Sequence, residues 1–165
     1  MKNSGFTLME IVLVIVLVGI LGITFAVKYS GFEETKLSSA ASKLAADIAY
    51  AQQLAITTQL YHGISFDSNA EEYYLFRIET NNTQTTIKNP STGEDFVVEY
   101  DFGELQGINL QTVNIGGGTE IIFDWQGIPY DNSKTALTSD ATITLEYRGR
   151  TKTLTVIAGT GKVSW

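Results

Sequence analysis

Residues 6–27 read FTLMEIVLVIVLVGILGITFAV, an apolar run in which Glu10 is the only ionisable side chain. As a helix rising about 1.5 Å per residue, it reaches roughly 33 Å, enough to cross a hydrocarbon core of about 30 Å. The run is too long for the apolar part of an ordinary cleaved signal peptide, and no small-residue cleavage site follows it. A buried core helix would need a domain large enough to surround it, and the rest of the chain is too small for that. The expectation is a transmembrane helix over 6–29. Lys2 and the initiating amine flank it on one side and Lys28 on the other, so the positive-inside bias is slight. A long C-terminal domain translocates largely regardless of charge, which puts the N-terminus inside and the domain outside.

The composition agrees with a single anchored domain. At 165 residues there is room for one globular domain and a short extra element, at about 150 residues per domain. Hydrophobic residues make up 44% and charged residues 18%, which excludes both a disordered chain and a polytopic membrane protein. Eighteen acids against 11 bases give a net charge of -7, which argues against a general nucleic-acid binder. Setting aside Lys2, Lys28 and Glu10 leaves 17 acids, 9 bases and a net of -8 for the remainder. The absence of cysteine excludes disulfide frameworks, zinc–thiolate sites, iron–sulfur clusters and cysteine nucleophiles.

Glu10 is the most informative residue. A carboxylate within a span costs about 2.5–3.5 kcal/mol on insertion scales and persists when something pairs with it. Five residues into the run, it lies near one membrane face. It either snorkels or protonates there, or it awaits a cation from a neighbouring chain or a newly made N-terminus. The spacing leaves both readings open.

The leader MKNSGFTLMEIV resembles that of type IV pilins and type II secretion pseudopilins: a short basic leader ending in Gly5, then Phe6-Thr7-Leu8, then Glu10. The resemblance implies that a prepilin peptidase removes residues 1–5 by cutting between Gly5 and Phe6 and methylates the Phe6 amine. It also implies that Glu10 pairs with the Phe6 amine of an adjacent subunit during assembly. Such a pair in a low-dielectric setting selects register more than it adds stability. Between spans that lack a hydrophobic drive, small residues such as Gly19 and Gly22 gain weight. Many pilins carry a proline near the end of this span; here Val27 stands in the stretch ITFAVKY, so a proline kink is not expected.

Over 30–60 a proline-free stretch repeats Leu37, Ala41, Leu44, Ile48, Ala51 and Ala55 at intervals of four and three, a narrow apolar stripe on a helix with Lys36, Lys43, Asp47 and Gln53 off it. The alanines suit close packing of a sheet on this stem, and Gly31 marks a weak point between span and stem. Beyond Leu60 the period changes to two. Strands are expected at 61–66, 72–79, 96–100, 108–113, 120–125, 142–147, 153–157 and 163–165. Turns are expected at Asp67-Ser68-Asn69, Asn89-Pro90, 116–118, Gly127-Ile128-Pro129, Arg148-Gly149 and 159–161. The expected fold class is α+β, a long N-terminal helix packed on an antiparallel β-sheet domain spanning 61–165.

The C-terminal part is similar to the GspH/FimT group of minor pilins and pseudopilins, through Phe123, Asp124 and Gly127 in an F-D-x-x-G pattern, the penultimate strand 154–157 and the closing Gly161-Lys162-Val163. The resemblance implies a pilin-like fold and a minor subunit of a type IV pilus or type II secretion pseudopilus. Its partners would be other subunits, the prepilin peptidase and an assembly platform in the inner membrane. Filament work would fall to a separate ATPase.

No catalytic constellation, cofactor or metal site is expected. His62 is the only histidine, and on a strand it points away from Ser65. Gly116-Gly117-Gly118 and Gly159-Thr160-Gly161-Lys162 lack the remainder of a phosphate loop. Glu94, Asp95, Glu99, Asp101 and Glu104 could ligate calcium but match no EF-hand spacing. Asn81-Asn82-Thr83 is a formal glycosylation sequon. Arg148, Arg150 and Lys152 form a basic cluster that would share one face if a strand ran through them. It reads either as a charged hairpin or as a phosphate contact. Gly149-Arg150-Thr151-Lys152 loosely resembles the glycine-arginine motif by which some FimT-like competence pilins bind DNA.

Overall fold

The computed structural model describes residues 7–165, with the side chains of 22–31 left aside. The chain divides into two compact units, Met1–Thr35 and Lys36–Trp165, and one helix, α1 (Leu8–Thr58), contributes to both. The cleavage position between Gly5 and Phe6 lies outside the described residues. So does part of the expected span: the side chains described within it are those of 7–21. Among the described residues, no helix is long and apolar enough to cross a membrane. The apolar side chains of this stretch, from Leu8 to Leu21, are about half exposed or more.

In the second unit the helical stripe meets its partners. Leu37, Ala41, Leu44, Ile48, Ala51 and Ala55 are all buried, joined by Ala40 and Ala45. Alanines at the contact let a sheet approach the helix closely. Asp47, expected off the stripe, is instead buried at 9% exposure. It sits one turn after Leu44, and a tyrosine hydroxyl described below makes its burial tolerable. α1 ends without glycine: Gln59 takes the left-handed conformation, φ 58°, and turns the chain into the first strand.

Ten strands follow in two antiparallel sheets rather than one. The first holds β1 (His62–Asp67), β2 (Glu72–Ile78), β3 (Gln84–Thr86), β4 (Val97–Glu99), β6 (Glu120–Phe123) and β7 (Pro129–Tyr130), in the order β3-β2-β1-β6-β7 with β4 also on β2. The second holds β5 (Asn109–Asn114), β8 (Ala141–Tyr147), β9 (Arg150–Val156) and β10 (Val163–Ser164), in the order β10-β9-β8-β5. One core joins α1 to the inner faces of both sheets, through Ile64, Tyr73, Leu75, Ile121 and Phe123 from the first and Leu110, Ile143, Leu145, Leu154 and Val156 from the second. β3 and β7 escape the sequence pattern because they are two or three residues long and β7 begins at proline, which suits a sheet edge.

Local details follow from sterics. Leu110 and Val113 both belong to the inner face although three residues separate them, because the β5–β8 register shifts between Leu110 and Thr112; a bulge resets the alternation. Gly63 lies opposite Phe76. A Cβ there would meet the Ile121 carbonyl and come within 2.8 Å of the Phe76 ring, so the glycine makes room for Phe76 in a small outer cluster with Ile78 and Ile122. β9 begins at Arg150, earlier than the expected 153, because Arg148 and Gly149 both take positive φ (51° and 81°) and close a two-residue hairpin whose ladder starts at Tyr147 and Arg150.

Candidate functional site

Glu10 lies in the first turn of α1. Its backbone N–H is 3.3 Å from Thr7 Oγ1 and 3.0 Å from the Thr7 carbonyl oxygen. Thr7 therefore caps the helix and Glu10 stands at its third position, where a carboxylate is favoured by the helix dipole. The signal was in the sequence, since Thr7-x-x-Glu10 is the capping-box pattern. The structure thus gives Glu10 a local role that does not depend on any partner. The Phe6 amine, its expected counter-charge, is outside the described residues.

The F-D-x-x-G segment forms a turn built on one carboxylate. Asp124, 4% exposed, accepts the backbone N–H groups of Gln126 and Ile128 at 2.9 Å each and the Tyr130 hydroxyl at 3.3 Å. Gly127 closes the turn with φ 80°. Gln52 of α1 spans from there to the closing turn: its Nε2 donates to the Gly127 carbonyl and to the Thr160 carbonyl, both at 2.8 Å. The two resembling elements of the C-terminal part are joined here by a helical residue that sequence reasoning did not single out. Gly161, φ 68°, is needed because a Cβ would stand 2.9 Å from the Gly127 carbonyl oxygen.

A second polar group lies inside the core. Tyr73 donates its hydroxyl to Asp47 Oδ2 at 2.6 Å, and Lys43 reaches the same oxygen at 2.9 Å. Tyr100 packs beside Tyr73 with ring centroids 5.7 Å apart. Burial pushes both phenols well above the ordinary tyrosine range, helped at Tyr73 by the neighbouring Tyr100 and then by Asp47, and at Tyr100 by the charge of Asp47.

His62 is 3% exposed, with Nδ1 3.1 Å from the Leu60 carbonyl and 3.4 Å from Thr58 Oγ1. Desolvation lowers its pKa, opposed by that backbone contact. Ser65 instead donates to Glu120 at 3.2 Å, and Asp67 caps its own turn through the N–H groups of Asn69 and Ala70. The three residues are not brought together. The expected acidic cluster divides: Asp95 pairs with Lys88 at 2.9 Å, while Glu99 lies on β4. Among the described residues, no group of three or more candidate ligands is placed to hold a metal ion.

No family model matches the chain, and no curated protein matches it. Solved structures do. The minor pseudopilin EpsH from the Type 2 Secretion System of Vibrio cholerae superposes with a TM-score of 0.58 at 10% identity, over 78% of this chain and 94% of that one. A second EpsH structure gives 0.58 at 11%, over 79% and 92%. The type IV minor pilin FimU of Pseudomonas aeruginosa gives 0.53 at 15%, over 80% and 89%. The chain has the pilin-like fold.

Within this pilin-like domain the basic residues are distributed more finely than the sequence suggested. Arg148 sits in the β8–β9 turn, so no strand carries all three cations on one face. Its guanidinium lies 5.4 Å from the centre of the Tyr147 ring. Arg150 pairs across the hairpin with Tyr147, and Lys152 donates to Ser38 Oγ of α1 at 2.8 Å. Lys36 joins them from α1, 4.9 Å from the same Tyr147 ring, and donates to the Gln106 carbonyl at 2.7 Å.

Proposed function

We propose that this chain is a minor pilin or pseudopilin subunit that is incorporated through α1 into a type IV pilus or a type II secretion pseudopilus. The observation that carries the reading is the pilin-like fold of residues that follow a Gly5-Phe6-Thr7-Leu8-x-Glu10 leader. In this reading a prepilin peptidase cuts between Gly5 and Phe6 and methylates the new amine. The apolar segment 6–29 holds the subunit in the inner membrane, with the N-terminus cytoplasmic and residues 61–165 periplasmic. Glu10, already fixed at the helix start by the Thr7 cap, then offers its carboxylate to the amine of a neighbouring Phe6. Two charges that are costly alone in a low dielectric become tolerable when paired, which sets the stagger between subunits. The role is structural: the fold neighbours are pilin and pseudopilin subunits, and the chain serves as substrate of the peptidase and as cargo of a separate assembly platform.

Intact mass of the membrane-extracted protein, with and without a co-expressed prepilin peptidase, tests the proposal. Loss of residues 1–5 together with one added methyl group is the expected result. A full-length mass in both cases overturns it. Glu10→Val in the matured protein is then expected to abolish incorporation into filaments while leaving cleavage intact.

A further inference from the structure

Among the asparagines of the chain, only Asn81 and Asn89 are followed at the second position by serine or threonine, in Asn81-Asn82-Thr83 and Asn89-Pro90-Ser91. Proline in the middle position removes Asn89 as an acceptor of N-linked sugar, which leaves Asn81. The fold sets Asn81 at the tip of the β2–β3 hairpin, beside the edge strand of the first sheet. Residues 80–84 are all exposed. The Asn82 N–H donates to the Glu79 carbonyl and the Glu79 N–H to the Thr83 carbonyl, both at 2.9 Å, while Asn82 takes φ 68°. Lys134 donates to Asn82 Oδ1, so Asn82 is the engaged member of the pair. Asn81 Oδ1 accepts the Thr83 N–H at 3.0 Å. Among the described residues, the Asn81 Nδ2 donates to no group and the Thr83 hydroxyl makes no bond. Two residues before the acceptor, Glu79 pairs with Arg77 Nε at 2.6 Å, a surface pair of the kind that is worth little and readily exchanged.

We infer that Asn81 is the acceptor of an N-linked oligosaccharide, transferred from a polyprenyl diphosphate donor at the outer face of the membrane. The inference rests on the periplasmic placement of residues 61–165 proposed above. In the transfer, Asn81 Nδ2 attacks the anomeric carbon of the first sugar. The C1–N bond forms, the C1–O bond to the diphosphate breaks, and its electron pair leaves on the lipid diphosphate. Nδ2 gives up one of its two protons to a carboxylate of the transferase, so the step needs no oxidant or further reactant. An amide nitrogen shares its lone pair with the carbonyl and is a weak nucleophile, so the enzyme must grip the acceptor segment and turn the amide. The segment suits that grip. The Thr83 hydroxyl can both donate and accept, and the Glu79 carboxylate can pair with a cationic side chain, at the acidic position of the longer acceptor pattern read by bacterial transferases. Residues 79–83 belong to neither hydrophobic cluster, so the turn can open locally while the core stays closed.

The test expresses the full chain in a bacterium that lacks N-glycosylation of its own, together with a bacterial oligosaccharyltransferase and its lipid-linked oligosaccharide. A second acceptor segment, Asp-Gln-Asn-Ala-Thr, is appended after Trp165 to report periplasmic exposure independently of Asn81. Intact mass is expected to rise by two oligosaccharides, and peptide mapping to find one of them on Asn81. Asn81→Gln, Thr83→Ala and Glu79→Gln are each expected to lose that one and keep the other, while Thr83→Ser keeps both. The glycan on the appended segment shows that each variant has reached the transferase. Sugar on the appended segment alone overturns the inference while leaving the placement of the domain intact. An undiminished mass shift in Asn81→Gln assigns the sugar elsewhere and also overturns it. A chain that carries no sugar at all removes the periplasmic placement, and the inference with it.

Discussion

Gln52→Ala separates the helix from the two turns that close the domain. The Gln52 amide uses both of its N–H groups, one on the Gly127 carbonyl and one on the Thr160 carbonyl, each at 2.8 Å. At about 1 kcal/mol net per bond, the loss is about 2 kcal/mol. For the roughly 130 residues of the second unit, an unfolding entropy near 2.1 cal/mol/K per residue converts this to a fall in Tm of about 7 °C. Thermal unfolding of the detergent-solubilised chain, followed by near-UV circular dichroism, reads it. Gln52→Glu is the sharper variant, because it keeps the shape but presents a carboxylate to two carbonyl oxygens. It is expected to destabilise at least as much as the alanine at neutral pH. If the Glu variant melts with the wild type, donation by Gln52 is not what joins the turns, and the account is wrong.

Gly63→Ala forces a methyl group against the Ile121 carbonyl and within 2.8 Å of the Phe76 ring. We expect a loss of about 1–3 kcal/mol or more, measured by urea unfolding, and only partial recovery with Phe76→Leu because the backbone contact remains. Asp124→Ala leaves the N–H groups of Gln126 and Ile128 without their acceptor, at about 2 kcal/mol in total, and limited proteolysis should cut the 124–128 turn selectively. His62 has a pKa below its ordinary value when folded, chiefly through desolvation. The unfolded chain therefore binds the extra proton first, so stability is full above about pH 6.5 and declines as pH falls from there toward the folded value. His62→Gln should flatten that acid-side decline in Tm, and an unchanged slope would assign it to carboxylates instead.

Much of the architecture was legible because periodicity encodes which face of an element is buried. The stripe from Leu37 to Ala55 is the buried face of α1, and the alternation at Ile143, Leu145 and Tyr147 is the inner face of β8. The turns at Gly149 and Gly127 follow from glycine's tolerance of positive φ, whereas the hairpin holds Arg148 at φ 51° against its own preference. The Thr7 cap, by contrast, was left unread, although Thr7 and Glu10 stand at capping-box spacing. What periodicity does not encode is the choice of partner. That β1 lies between β2 and β6, that the strands divide into two sheets, and that β3 and β7 form at all depend on pairings across long stretches of chain.

The same holds for the polar residues. The sequence by itself determined a single cysteine-free acidic domain behind an apolar N-terminal helix, because composition and residue spacing are local properties. Only the tertiary structure decided that Asp47 enters the core, where a Tyr73 hydroxyl distant in sequence meets it. It alone decided that Gln52 ties Gly127 to Thr160, and that Lys36 completes a cationic group with a hairpin more than a hundred residues away. A polar side chain's role is fixed by the donor or acceptor that packing brings to it, and that partner is chosen by the fold as a whole.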